Sequence, residues 1–225
     1  MNDLKFASRW LAAIVLAELV LGPFTNFSLL DPVFQGSGGF LANAAPHATA
    51  LGAAALLSIT LALISAGVAL LLWPVLKPRS ERMALALAIL CAAGVALAAV
   101  ENVSLLSMMS LSQAYLASSS ADAVLYQALR GVVGAQRNWA HLVQLLVAGA
   151  TLLAMYAAFY RFRLVPRWLA GFGVLACVSQ MIAVAKPAFG GWVVFAMLAP
   201  LGVAQLLLLG WLVVKGLRAP EARAG

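Results

Sequence analysis

Charge is scarce in this sequence: Asp, Glu, Lys and Arg make up 9% of its 225 residues, against roughly 25% in a soluble domain. With 64% hydrophobic residues, the chain cannot cover itself with a water-facing surface, which excludes a soluble globular enzyme. Acidic residues are scarcer still, seven against fourteen Lys and Arg. The resulting charge of +7 is not a nucleic-acid footprint, because no basic run is interleaved with stacking aromatics. Cys91 and Cys177 each lie in an apolar run without a second Cys or a His at metal-ligand spacing, so both read as packing residues. There is no Gly-x-Ser-x-Gly elbow, and neither His-x-x-His, Glu-x-x-His nor His-Glu-x-x-His occurs. Alternation of the transmembrane β-barrel kind is missing too.

What is present is a series of long apolar runs. Six spans follow: Arg9 to Phe27, Ala48 to Leu76, Met83 to Met109, Trp139 to Tyr160, Trp168 to Ala185 and Trp192 to Val214. A helix crosses a hydrocarbon core of about 30 Å with about 20 residues. The fold class is therefore all-α, a polytopic bundle of six transmembrane helices forming a single domain over residues 1–225. The first apolar stretch carries Glu18 and no small-residue cleavage site, so it reads as a retained span.

Positive charge orients the bundle. Lys5, Arg9, Lys77, Arg79, Arg82, Arg161, Arg163, Arg167, Lys215, Arg218 and Arg223 fall on one side, while Arg130, Arg137 and Lys186 fall on the other. Both termini are expected in the cytoplasm. The cytoplasmic connections are tight, with Pro74, Pro78 and Pro166 as breakers. The outer ones are longer: Ser28 to Pro46 contains a Gly-rich turn, and Ser110 to Asn138 is expected to hold a short helix over Ala121 to Val133 after a Ser118 to Asp122 capping signal. Trp10, Trp73, Trp139, Tyr156, Tyr160, Trp168, Trp192 and Trp211 near span ends read as an aromatic belt.

Polar residues inside the spans carry the functional signal, since a central charged side chain costs about 2.5 to 3.5 kcal/mol on insertion. Glu18 lies about 13 Å along the first span from Arg9, Asn26 about 25 Å along it, and Glu101 about 28 Å above Arg82. His141 enters the fourth span at that outer level, with Gln144 one turn deeper, and Gln180 reaches a nearby depth. Asn26, His47, Glu101, Asn102, His141, Gln144 and Gln180 are thus expected to line a polar cavity open to the outside, with Glu18 as its floor.

Three readings of this layer stand side by side. In one the cavity binds or moves a small polar or amphipathic ligand, with a carboxylate exchanging a proton. In another the same residues only fix helix packing, in a protein that serves as an accessory or structural membrane subunit. In the third, two histidines and a carboxylate form a metal-dependent intramembrane enzyme, although the spacing assigns no metal ligand. No cofactor is specified by any motif. The expected partners are membrane lipids, a small-molecule ligand and a homo-oligomer or larger membrane partner, with no nucleic acid.

Several segments resemble the bacterial membrane proteins grouped as domain-of-unknown-function family 4386. They are Arg9-Trp10-Leu11-Ala12 with Asn26 after it, Asn102, the Tyr115 to Asp122 stretch leading to Asn138 and His141, and above all the run Arg163-Leu164-Val165-Pro166-Arg167-Trp168-Leu169-Ala170-Gly171-Phe172-Gly173. The similarity covers Arg9 to Lys215. It implies a six-span integral membrane protein with no agreed activity, cofactor or substrate. It singles out Asn102 and His141, whereas Glu18, His47 and Glu101 are not tied to the family pattern.

Overall fold

The computed structural model describes residues 2–118 and 122–218. Every regular element among them is helical: α1 (Asn2–Pro23), a π-helical segment (Phe24–Leu30), α2 (Asp31–Gln35), α3 (Gly39–Asn43), α4 (Ala48–Leu76), α5 (Glu81–Ala117), α6 (Ala123–Phe162), α7 (Arg167–Ala185), short 3₁₀ turns at Lys186–Phe189 and Phe195–Met197, and α8 (Ala199–Val214). Six stretches are long and apolar enough to cross a bilayer: Leu4–Gln35, Ala48–Leu76, Glu81–Ala117, Val124–Phe162, Arg167–Phe189 and Phe195–Val214. The protein is a multi-pass membrane bundle of six spans. Ala- and Leu-rich runs favour the helix intrinsically, and in hydrocarbon the helix alone satisfies every backbone group within one segment.

Two helices outrun the membrane. α5 has 37 residues and α6 has 40, about 55 and 60 Å at helical rise. The separate short helix expected between Ser110 and Asn138 is instead the beginning of α6, whose helix is unbroken through the region expected to be a connection. Nothing local stops the helix: this stretch has no proline, and the lone glycines Gly131 and Gly134 each cost only about 1 kcal/mol. Buried contacts outweigh that, since Val133 and Tyr126 pack on the cluster around Leu105 and Met108. Of the expected capping signal, residues 119–121 lie outside the described residues. The last span departs the other way. Its helix starts at Ala199, with Pro200 in the first turn, a position that suits proline; before it, Gly190 with a φ of +78° closes the turn at Lys186–Phe189.

The chain divides into two compact units. The first gathers Met1–Leu19, Ile64–Gly94 and Leu145–Gly225. Its core includes Leu11, Leu72, Leu87, Tyr156, Phe159, Leu169 and Leu208. Here α6 and α7 run antiparallel in a register fixed by two glycines. A Cβ on Gly149 would stand 2.5 Å from Gln180 Oε1, and one on Gly173 would strike the Tyr156 ring. Large side chains seated on glycines of the opposite helix let the two backbones approach closely.

The turn from α6 to α7 explains the most distinctive run in the sequence. Arg163 takes a left-handed φ of +56°, and the Leu164 N–H reaches back to the Phe159 carbonyl at 3.1 Å, a helix stop of the Schellman kind. Leu164 and Val165 are then fully buried, and Pro166 leads into α7. The Arg167 guanidinium lies 5.5 Å from the Tyr160 ring centroid. The end of α8 docks on the same region: Arg218 N–H donates to the Leu164 carbonyl at 2.8 Å. Ser8 Oγ accepts from the Leu217 N–H at 2.8 Å while donating to the Leu4 carbonyl.

The second unit gathers Val20–Leu63 and Val95–Gln144. Pro23 offers no N–H to the helical ladder, and the wide π-helical turns follow it directly. Side chains there serve the local carbonyls, with Thr25 Oγ1 donating to Leu21 at 2.7 Å and Asn26 Nδ2 to Gly22 at 3.0 Å. A core of Leu30, Val33, Phe40, Leu41, Leu51, Leu105 and Met108 lies among α2 to α5. Buried Ser112 ties α5 to the α3–α4 turn, donating to the Leu41 carbonyl at 2.8 Å and accepting from the Ala45 N–H at 2.9 Å.

Candidate functional site

Within the second unit, three charged or polar side chains converge. α5 presents Glu101. Arg137 and His141 are four residues apart on α6, hence one turn apart on one face. Glu101 Oε1 receives both: His141 Nδ1 lies at 2.8 Å and Arg137 Nη2 at 3.2 Å. The Nδ1–H tautomer is the one that donates in this geometry. The Arg137 guanidinium also covers the Phe34 ring of α2 at 4.9 Å, so one cation bridges α2, α5 and α6. Side-chain exposure is 11% for Arg137, 18% for Glu101 and 28% for His141. The charges are therefore mostly withdrawn from solvent, with the imidazole the most open of the three.

Arg137 was not legible as a site residue from the sequence, because a span beginning at Trp139 leaves it in a connection. The signal that finds it is its i, i+4 spacing to His141, which acquires meaning once α6 extends back to Ala123. One feature of its placement is chemically unspent. Arg137 Nε is buried and has no hydrogen-bond partner among the described residues, whereas buried polar groups are ordinarily satisfied.

The other expected residues are not joined to this trio. Asn102 is buried and donates to the Ala98 carbonyl of its own helix at 2.7 Å. Gln144 is half-buried on α6, one turn further along from His141. Asn26 is exposed and bonded within its own segment. His47 is exposed, with Nδ1 2.8 Å from the Asn43 carbonyl. Glu18 and Gln180 belong to the first unit. There Ser65 Oγ donates to Glu18 Oε1 at 2.6 Å, and Gln180 Nε2 donates to the Leu145 carbonyl at 3.3 Å. Gln180 Oε1, pressed on Gly149, has no partner among the described residues.

A shallow groove of about 550 Å³ in the second unit is lined by Val103, Leu106, Ser107, Ser110, Leu111 and Val133. None of the expected ligand residues lines it. Its serines donate to their own helix, Ser107 to Val103 and Ser110 to Leu106, so the groove is chemically apolar. For metal chemistry, no three His, Cys, Asp or Glu side chains converge among the described residues. Beside Glu101 and His141 the third position is a guanidinium, which repels a cation where a metal would need another donor.

Among curated proteins and among solved structures, comparison finds no match. The family model described as domain of unknown function (DUF4386) matches residues 11–216, a range that includes the Arg163–Pro166 turn and the Glu101–Arg137–His141 trio, and the chain belongs to that family.

Proposed function

We propose that this protein is a multi-pass component of a bacterial cytoplasmic membrane, with both termini inside. In this reading its outer half binds, and in doing so helps to move, a small polar or amphipathic ligand. The observation that carries the reading is the Glu101–Arg137–His141 trio at the outer ends of apolar helices. Charged side chains held together and mostly out of solvent at the membrane edge are costly to place, and such clusters are functional-site candidates. The trio supplies two donors and one acceptor of opposite charge, and the buried Arg137 Nε keeps one donor unspent. Such a set suits a ligand that carries an anionic or strongly hydrogen-bonding head. Gln144, one turn below His141, and Asn102, next to Glu101, are the nearest residues in sequence for extending the site.

A second reading has its own support. Asn26, Asn102, Ser104 and Ser107 all bond to carbonyls of their own helices, as helix-satisfied polar residues do, and the trio alone would then clasp α2, α5 and α6. Native mass spectrometry of the protein released from lipid nanodiscs separates the two. Under the binding reading a non-protein mass is retained by the wild type and lost in both Arg137→Met and His141→Ala. If every form flies without added mass, and the variants differ from wild type only in unfolding temperature, the clasp is all the trio does.

A further inference from the structure

We infer that Glu18 and Ser65 form a proton-binding site inside the first unit, at which the Glu18 carboxyl carries a proton and exchanges it with water. The site belongs to a different unit from the Glu101–Arg137–His141 trio, so the inference does not rest on the ligand reading.

Helical rise sets the depth of the site. Glu18 follows Arg9 on α1 by about 13 Å, and Cys91 follows Arg82 on α5 by the same distance. α1 and α4 run antiparallel and touch at this level. Ile14 Cδ1 lies 3.7 Å from where a Cβ on Gly67 would stand, and one turn further along α1 Ser65 Oγ donates to Glu18 Oε1 at 2.6 Å. The packing around this pair is apolar: Ile14 and Val15 are buried, Leu19 packs on the same core, and Val68, Ala69 and Leu72 of α4 belong to it.

Charge decides the form of the carboxyl. α4 has no charged residue along its length, and the other charged residues of the first unit lie at span ends or in connections. Both ion pairs among the described residues belong to Glu101. The titratable side chains within electrostatic reach of Glu18 are Cys91 of α5 and Tyr156 of α6, a thiol and a phenol that bring no positive charge. A carboxylate in apolar surroundings without a cation takes up a proton rather than bear its desolvation. The neutral acid also suits its partners. Its carbonyl oxygen accepts from Ser65 while its O–H is left to donate. The Tyr156 hydroxyl is fully buried and has no hydrogen-bond partner among the described residues, and a hydroxyl both accepts and donates, so Tyr156 offers the site an unused proton acceptor. Glu18 itself is half-buried, so the protein does not seal the carboxyl against exchange.

Infrared spectroscopy of the full chain, in a detergent without ester groups, tests the site, because a neutral carboxylic acid has a C=O stretch that a carboxylate lacks. At neutral pH, where a free glutamate is ionised, the wild type is expected to show this band and Glu18→Gln to lose it. The band should move to lower wavenumber in heavy water and fade as the pH is raised. Ser65→Ala is expected to keep the band and move it to higher wavenumber, since the carbonyl oxygen loses its donor. No Glu18-dependent band at neutral pH means a charged carboxylate and overturns the inference. A band that neither shifts in heavy water nor fades at alkaline pH overturns it as well, and leaves Glu18 a packing group with a fixed proton. A band unmoved by Ser65→Ala overturns the pairing on which the site is built.

Discussion

The hydroxyl of Tyr156 is fully buried and has no hydrogen-bond partner among the described residues, although its ring fills the space left by Gly173. A buried hydroxyl without a partner retains its desolvation cost. Tyr156→Phe is therefore expected to leave the thermal unfolding temperature unchanged or raise it, by up to about 1 kcal/mol in stability. A fall of that size would mean that the hydroxyl makes a contact the geometry does not contain. The Glu101–Arg137 pair behaves in the opposite way. Removing one charge strands the other in a mostly buried position, which costs about 3 kcal/mol for fully buried pairs, less here because both side chains retain some exposure. Glu101→Gln and Arg137→Met should each destabilise by about 2 kcal/mol. The double variant should recover much of that loss, and a thermodynamic cycle on unfolding in nanodiscs measures the coupling. Additive losses would show that the two side chains do not act on each other.

At the scale of elements, the turn between α6 and α7 is the most constrained point of the first unit. Arg163 occupies the left-handed region, which costs an L side chain about 1 kcal/mol and a β-branched one more. Both Arg163→Gly and Arg163→Val delete the same side-chain functions, so their difference isolates the backbone. The glycine variant is expected to be more stable by about 1 to 2 kcal/mol, as read by thermal unfolding. Equal stability of the two would place the turn outside the left-handed region. The elements also show where sequence patterning runs short. Hydropathy marks the apolar centre of each span well, because about 20 apolar residues have no other stable placement. It marks helix ends poorly. α5 and α6 continue past the hydrocarbon because Tyr126 and Val133 pack on Leu105 and Met108, contacts between residues distant in sequence, and no proline stops them. Arg137 lies in one of those extensions, so the trio could be read from the sequence only as a meeting of Glu101 and His141 at one depth.

At the scale of the whole molecule, six crossings put the two ends of the chain on one side, and eleven of fourteen basic residues lie with them in the assigned topology. A reporter fused at Gly225 is expected to read cytoplasmic, and a Ser120→Cys variant to be labelled by an impermeant maleimide from outside intact cells. An extracytoplasmic reporter or labelling only after lysis would invert or break the topology. Composition and pattern alone determined that this is a six-span helical membrane protein, because burying so many apolar residues and satisfying every backbone group in lipid leaves one architecture. The resemblance carried by the Arg163 to Gly173 run was likewise legible in the residues themselves, and its physical content is a left-handed helix stop followed by glycines that seat Tyr156 and Tyr160. Only the tertiary structure decided which polar residues act together. Depth along a span follows from helical rise, which the sequence contains. Facing depends on how each helix is rotated against its neighbours, which is set by packing between distant segments. That rotation turned Asn102 onto its own helix and brought Arg137 and His141 onto one oxygen of Glu101.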